Sequence, residues 1–154
     1  MTAKSTQKET LSTMLIGRWE QIGHKVAALA EEFPEEKFEY RPLESVRTFG
    51  DVLRHLAFWS QYVADSLSGK QVDESSNEVP SINYPTKARI VEVLERNSRE
   101  AVAALRKHPS DLDLKTVELM MTFIEHTCEH YGQLVVYSRL MGITPPASRA
   151  NRNS

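Results

Sequence analysis

The amino-acid sequence predicts an all-α fold, a four-helix bundle that forms one domain. Three observations support this prediction. Apolar residues recur at steps of three and four along four segments, Pro and Gly residues fall between those segments, and no stretch alternates as a half-buried strand does. The chain has 154 residues, which is enough for one domain with its own hydrophobic core.

The first helix is predicted over residues 9–32. Its apolar stripe repeats at helical spacing and consists of Leu11, Leu15, Trp19, Ile22, Val26 and Leu29. Phe33-Pro34 ends the helix, because a proline disfavours helical conformation in the residue before it. Residues 35–46, which contain Arg41-Pro42, are expected to form a turn or short helix followed by an extended connection.

The second helix is predicted from Thr48 to about residue 67, and Gly69 follows as a stop signal. Thr48 to Asp51 has the pattern of a capping box, in which the threonine accepts an amide hydrogen bond and Asp51 reaches back to the backbone. Residues 70–85 are rich in Ser, Asn, Glu and Pro and predict a long surface loop. Such a length is unusual in a compact domain, so the loop is a candidate lid over a site.

The third helix is predicted from its N-cap, Thr86, to about residue 108, and the fourth from residue 114 to residue 141. Gly142 ends the fourth helix, and Pro145-Pro146 prevent its continuation. The four-helix domain is therefore expected to cover residues 9–146. Residues 1–8 and 147–154 are expected to be flexible N-terminal and C-terminal tails.

Three histidines form a candidate metal site. His126 and His130 share one face of the fourth helix, because four residues make just over one helical turn. His55 lies at the margin of the apolar stripe of the second helix and is expected to point inward. Three neutral imidazoles can hold one divalent transition metal and leave a coordination position open. The alternative is that each is a core histidine bonded to a tyrosine or a backbone carbonyl.

The fourth helix is apolar on two sides. One side carries both histidines with Leu119, Phe123, Gln133 and Tyr137, and the other carries Val117, Met121, Ile124, Cys128, Tyr131 and Val135. A helix that is apolar on two sides is buried on two sides, so the second face predicts a homodimer. The alternative is that a neighbouring helix and the long loop cover this face. Cys128 is expected to be a buried structural residue rather than a ligand or nucleophile.

Four side chains near the histidines are candidates for a substrate pocket. Gln133 and Tyr137 lie one and two turns beyond His130, where they would orient a ligand or contact substrate. Trp59 and Tyr62 on the second helix would form the pocket wall. For all four, the alternative is an ordinary role in the core. The catalytic residues themselves stay unassigned.

Composition restricts the partners and the compartment. The net charge of −2 comes from interspersed charges of both signs, which predicts no nucleic-acid partner. Residues 1–9 lack a secretory apolar segment and no apolar run is long enough to span a bilayer, so no membrane partner is expected. A single cysteine excludes an intramolecular disulfide and fits a reducing compartment. A cytoplasmic protein that acts on a small-molecule substrate is expected.

Several segments resemble the DinB-like (YfiT-like) family of metal-dependent four-helix bundles. These segments are residues 33–37, 40–42, 46–55, 126–134 and 141–146, and the resemblance extends over most of residues 11–146. It implies an up-down-down-up bundle, frequently dimeric, in which His55, His126 and His130 hold the metal. The chain departs from the commonest family pattern at Glu129 and Tyr131, where a histidine and an arginine often flank the last ligand. If these two residues contact substrate, the substrate inferred from relatives does not transfer to this chain.

The resemblance also implies a range of activities. Related proteins include thiol-dependent transferases that use bacillithiol or mycothiol, and a thiol-dependent isomerase. With zinc or nickel bound, such a site can activate a low-molecular-weight thiol for transfer or a water for hydrolysis. The hypothesis is therefore a metal-dependent thiol S-transferase or small-molecule hydrolase. The alternative is a non-catalytic, stress-related bundle protein that binds a metal or a small molecule.

Overall fold

Four α-helices make up most of the protein in a computed structural model that describes residues 10–108 and 111–149. The helices are α1 (Leu11–Glu32), α2 (Phe49–Leu67), α3 (Lys87–Leu105) and α4 (Leu114–Leu140), with short 3-10 turns at Glu35–Lys37 and Pro146–Ser148. The described ranges contain no strand. The prediction of an all-α four-helix bundle is confirmed, and the helix ends lie within three residues of those predicted.

Hydrogen bonds at both ends of α2 and α3 show that these helices are parallel. Arg54 near the start of α2 donates to the carbonyl of Tyr84, just before α3, at 3.2 Å. His108, just after α3, donates from Nε2 to the carbonyl of Leu67 at the end of α2, at 2.9 Å. A helix of 19 residues is about 28 Å long, so the connection between α2 and α3 must run back along the bundle.

Two further contacts give the directions of α1 and α4. Lys87 at the start of α3 donates to the carbonyl of Phe33, just after α1, at 2.9 Å, so α1 is antiparallel to α3. Tyr137 near the end of α4 donates to the carbonyl of Arg47, just before α2, also at 2.9 Å, so α4 is antiparallel to α2. The four helices therefore run up-down-down-up, as the resemblance implied.

Side-chain caps start all four helices, and Thr10 caps α1 by accepting the backbone amide of Thr13. Thr86 caps α3 and Asp113 caps α4, each by accepting a backbone amide three residues on. Thr48 accepts the Asp51 amide at 3.1 Å, as predicted for α2. The predicted return contact from Asp51 is absent. Its Oδ1 instead accepts a hydrogen bond from Arg54 Nη1 at 2.7 Å, because the Arg54 guanidinium is buried and requires a counter-charge.

The core consists of two apolar clusters along the bundle. One cluster lies around the stacked rings of Phe33 and Phe49, whose centroids are 3.6 Å apart, and the other includes Trp19. Helix α4 contributes Leu134 to the first cluster and Met120 to the second. The two histidines of α4 lie between Met120 and Leu134 in the sequence. Helix α4 is therefore packed into the core on both sides of the candidate site.

The second apolar face of α4 is only partly covered within one chain. Helices α1 and α2 pack against α4 and leave its outward surface free in the described part of the chain. Val117, Ile124, Tyr131 and Val135 are half-buried on this face, whereas Met121 and Cys128 are exposed. The prediction of a buried Cys128 is therefore wrong for a single chain.

The predicted tails fall mostly outside the described residues, which exclude 1–9 and 150–154. Residues 147 and 148, assigned to the C-terminal tail, belong to the second 3-10 turn, and Arg149 pairs with Glu32 at 2.9 Å. The domain limits of 9–146 stay a prediction. Among the described helices, none is both long and apolar enough to cross a bilayer.

Candidate metal centre

His55, His126 and His130 converge in the groove between α2 and α4. The centroids of their rings are 4.6 to 5.0 Å apart, and one ring nitrogen from each histidine lies within 4.8 Å of the other two. The Nε2 atoms of His55 and His126 are 3.1 Å apart. Two nitrogens held by one tetrahedral ion at 2.0–2.1 Å would be about 3.3 Å apart, so this spacing suits a metal ion.

The tautomer of His55 is determined by its neighbour in the loop between α2 and α3. The Nδ1 atom lies 2.7 Å from the backbone carbonyl of Asn77. Because a carbonyl only accepts, Nδ1 carries the proton and donates it. In the neutral ring the lone pair is then on Nε2, which faces the other histidines. A second hydrogen bond of this kind is the usual way in which a metal-binding histidine is oriented.

A chain of three hydrogen bonds orients His130 in the same way. Tyr137 donates to the carbonyl of Arg47, so its hydroxyl oxygen accepts from Gln133 Nε2 at 2.8 Å. That contact turns the amide oxygen of Gln133 toward His130, whose Nδ1 lies 3.0 Å away. Nδ1 of His130 is therefore the donor. The lone pair of His130 is again left on Nε2.

His126 differs from the other two histidines. Its Nδ1 is buried and has no hydrogen-bond partner among the described residues. Its Nε2 faces the lone pair of His55 Nε2 at 3.1 Å. In the neutral ring, a proton on His126 Nε2 would donate to that lone pair, and a metal ion between the two nitrogens would take the place of this proton.

Burial keeps His55 and His126 neutral. Loss of water contact, with a smaller effect of the Arg47 charge and the neighbouring imidazoles, lowers the pKa of His55 to about 4. Burial and His130 likewise lower the pKa of His126 to about 4, although Glu129 opposes the shift. Both rings are therefore neutral at pH 7, which is the form that binds a metal. The donor set fits a divalent transition metal.

The loop over residues 68–86 contacts His55 and is attached to α2 through Asn77. Its backbone carbonyl holds His55, and its side-chain Oδ1 accepts the indole N–H of Trp59 at 3.0 Å. Asn77 has a φ of 56°, in the left-handed region, which asparagine tolerates better than most residues. One residue thus uses its backbone conformation and two acceptor atoms to fix the loop to α2.

Two side-chain contacts attach the loop on either side of Asn77. Glu78 accepts from Arg47 Nε at 2.6 Å, and Glu74 accepts from the hydroxyl of Tyr62 at 2.9 Å. The loop therefore lies over the candidate site, where a lid was predicted. Its movement as a lid stays a prediction.

Aromatic side chains line the groove beside the histidines. The Trp59 ring centroid is 6.1 Å from those of both His55 and His126, and its ring stacks on Phe123 at 5.2 Å. Tyr62 is one layer further out, 5.1 Å from Trp59. Of the four candidate pocket residues, Trp59 borders the cluster and Tyr62 lies beyond it. Gln133 and Tyr137 are engaged in orienting His130.

Three residues at the site, Arg47, Asn77 and Glu78, were not predicted from the sequence pattern. Asn77 binds His55 through its backbone carbonyl, which any residue type could supply, so its side chain gives no signal. Arg47 and Glu78 are 31 positions apart and pair only once the loop has folded back. An asparagine in a long polar loop was the one available sign of left-handed backbone.

The helical bundle and its histidine cluster define a class of protein, which comparison with known families identifies. The DinB family model matches residues 4–154, so the chain belongs to the DinB family. The crystal structure of a DinB-like protein from Bacillus subtilis, at 2.30 Å resolution, has a TM-score of 0.60 and 18% sequence identity, and the match covers 85% of this chain and 94% of that one. This likeness shows the fold alone. None of the curated proteins matches the chain.

Proposed function

We propose that the protein is a metal-dependent enzyme in which His55, His126 and His130 hold one divalent transition metal, zinc or nickel. The observation that carries this proposal is the orientation of the rings. His55 and His130 each donate from Nδ1, to Asn77 and Gln133, and so turn unprotonated Nε2 atoms toward the cluster. Three neutral ligands leave a coordination position open, as in catalytic zinc sites.

The metal, when bound, supplies a positive charge that lowers the pKa of a thiol or water next to it. The other contributions to the site come from side chains of α2 and α4 and from the loop. Trp59 and Phe123 form an apolar wall that excludes water on one side of the histidines. The loop is held by Asn77 against His55 and Trp59 and so bounds the site on the α2 side.

Transfer of a low-molecular-weight thiol to an electrophilic small molecule agrees better with this site than hydrolysis does. Hydrolysis commonly uses a general base beside the attacking water. Within the described ranges, the group that can hold a metal contains three histidines and no carboxylate. Of the nearby acids, Glu74 and Glu78 are hydrogen-bonded to Tyr62 and Arg47, and Glu129 acts on His126 through its charge. A thiol that bound to the metal would release its proton to solvent, so its attack as a thiolate would need no such base.

Turnover assays test the enzyme directly. Zinc- or nickel-loaded protein is incubated with glutathione, cysteine or bacillithiol and an electrophile such as monochlorobimane, and conjugates are followed by fluorescence. We expect conjugation in the parent, its loss in His126→Ala, and its retention in His24→Ala, which removes an exposed histidine of α1. Tight binding of a thiol without turnover would contradict the enzyme and favour the alternative, a non-catalytic binding protein.

The proposal includes a homodimer formed through the outward face of α4. Met121 and Cys128 are exposed there, and the exposed fraction of Met121 is 42%. Exposed apolar side chains in a row are typical of protein interfaces. A second copy of the chain would cover them. The cytoplasmic location also stays part of the proposal.

A further inference from the structure

A second cavity opens between α1 and α3, on a different side of the bundle from the histidines. It has a volume of about 190 Å³ and reaches inward to Leu56 of α2 and Thr127 of α4. These two residues follow His55 and His126 in sequence, and successive residues on a helix point about 100° apart. None of the three histidines lines the cavity. It is therefore separate from the candidate metal centre.

The size of the cavity suits a small ring compound. A buried apolar cavity of about 150 Å³ is large enough to bind benzene. The present cavity is somewhat larger, and it opens to solvent beside the exposed side chains of Glu95 and Arg99. A molecule between phenol and indole in size would fill it.

The inner walls of the cavity are mostly apolar. Trp19, Ile22, Val26, Leu56 and Val102 contribute these walls, and all five are buried. The indole N–H of Trp19 is already engaged, since it donates to the carbonyl of Ser98 at 3.3 Å. Trp19 therefore offers a ring face and edge rather than a hydrogen bond. Contact with an aromatic ligand is the interaction that these walls favour.

Two hydroxyl groups in the cavity are acceptors. Ser60 donates to the carbonyl of Leu56 at 2.8 Å, and Thr127 donates to that of Phe123 at 2.7 Å. Each hydroxyl proton is thereby used within its own helix, which leaves lone pairs on the oxygen. A ligand with an O–H or N–H group would satisfy them.

The mouth of the cavity carries paired charges. Glu95 and Arg99 line it and lie 3.7 Å apart, and Glu20 lies 3.8 Å from Arg106. Since each carboxylate has a cationic neighbour, the mouth has no strong preference for an anion or a cation. A neutral ligand is the class that this balance favours.

We propose that this cavity is a second small-molecule site, which binds a neutral aromatic compound of phenol to indole size with one hydrogen-bond donor. The ring would contact Trp19 and the surrounding aliphatic side chains. Its O–H or N–H group would donate to the hydroxyl oxygen of Ser60 or Thr127. This site does not depend on the metal or on the proposed enzyme.

Titration of the full-length protein with 4-fluorophenol, followed by ¹⁹F NMR, tests the proposal. Ala27→Leu and Ser60→Leu each place a larger side chain in the cavity, whereas Ala28→Leu enlarges the exposed neighbour of Ala27 on the same helix. We expect saturable binding in the parent and in Ala28→Leu. Both cavity-filling variants should weaken it by about ten-fold or more.

Two measurements keep this test independent of folding and of the metal. Intermolecular NOEs from the ligand to the Trp19 ring in the parent should locate the ligand without any substitution. Binding should be unchanged in EDTA and in His126→Ala. The proposal is overturned if neither 4-fluorophenol nor indole binds the parent saturably, if binding persists in both filling variants, or if it is lost on removal of the metal.

Discussion

The histidine cluster depends on single hydrogen bonds that decide which ring nitrogen carries the proton. The Nδ1–H group of His55 donates to the backbone carbonyl of Asn77, and the Nδ1–H group of His130 donates to the amide oxygen of Gln133. Tyr137 fixes that amide because its hydroxyl oxygen accepts a hydrogen bond from Gln133 Nε2. Residues that never contact the metal therefore decide whether the ligand nitrogens are available to it.

Substitution of Gln133 tests this dependence. Gln133→Leu removes the acceptor for His130 and should weaken metal affinity by about 10- to 100-fold, because loss of an orienting partner typically has that effect. Gln133→Glu keeps an acceptor for His130 Nδ1 and should lose less metal affinity than Gln133→Leu. The affinities are measured by competition with a chromophoric chelator. Glu125→Gln, on the exposed side of α4, is the control. Equal affinities in Gln133→Leu and the parent would contradict the role of Gln133.

The buried histidines also predict how acid affects the metal-free protein. The pKa values of His55 and His126 are lowered from 6.5 to about 4 in the fold, so the unfolded chain binds more protons between those values. Stability should therefore fall as the pH drops from 6.5 toward 4 and should not depend on these groups above 6.5.

Melting temperatures measured in EDTA from pH 7.5 to pH 4.5, a range set around the ordinary histidine pKa, give the slope. The decrease of melting temperature with falling pH should be steeper in the parent than in His126→Gln. Carboxylates contribute equally to both proteins, so the difference reports on His126. His24→Gln, which alters an exposed histidine, should follow the parent. Parallel slopes in the parent and His126→Gln would show that His126 does not lose protons on folding.

Among the elements, the helices were predictable and the loop contacts were not. Periodicity gave the four helices because each buries a stripe against its neighbours, and the spacing of His126 and His130 gave their common face. The pairing of His55 with them needs the antiparallel packing of α2 on α4, which no local pattern contains. The position of Asn77 beside His55 follows because the connection between α2 and α3 must run back along the bundle.

The left-handed backbone of Asn77 gives a prediction for the loop. Asn77→Ala and Asn77→Gly both lose the side-chain contact with Trp59, but only alanine resists a φ of 56°. The alanine variant should be less stable than the glycine variant by about 1 kcal/mol in urea unfolding. At Asn83, whose φ is not positive, the glycine variant should instead be less stable than the alanine variant. The same order at both sites would contradict the account.

At the scale of the whole molecule, the open question is what covers the outward face of α4. The sequence pattern predicted that this face is buried, yet Met121 and Cys128 are exposed in a single chain. The pattern of apolar residues reports burial but not whether the covering surface belongs to the same chain. The proposed homodimer would account for the pattern and the exposure together.

Light scattering with size-exclusion chromatography tests the homodimer. The parent should have twice the chain mass of 17.5 kDa, and Met121→Glu should reduce it to a monomer by placing a charge in the interface. Alkylation of Cys128 should be slower in the parent than in Met121→Glu. Lys115→Glu, at an exposed site near the start of α4, is the matched control. A monomeric parent would contradict the homodimer.

Metal content is the most direct test of the central claim. Elemental mass spectrometry is applied to tag-free parent protein and to His55→Ala, His126→Ala and His130→Ala, with His24→Ala as the control. We expect about one equivalent of transition metal per chain in the parent and the control, and its loss in those of the three variants that remain folded. A parent that stays empty after incubation with zinc, nickel and manganese would contradict it.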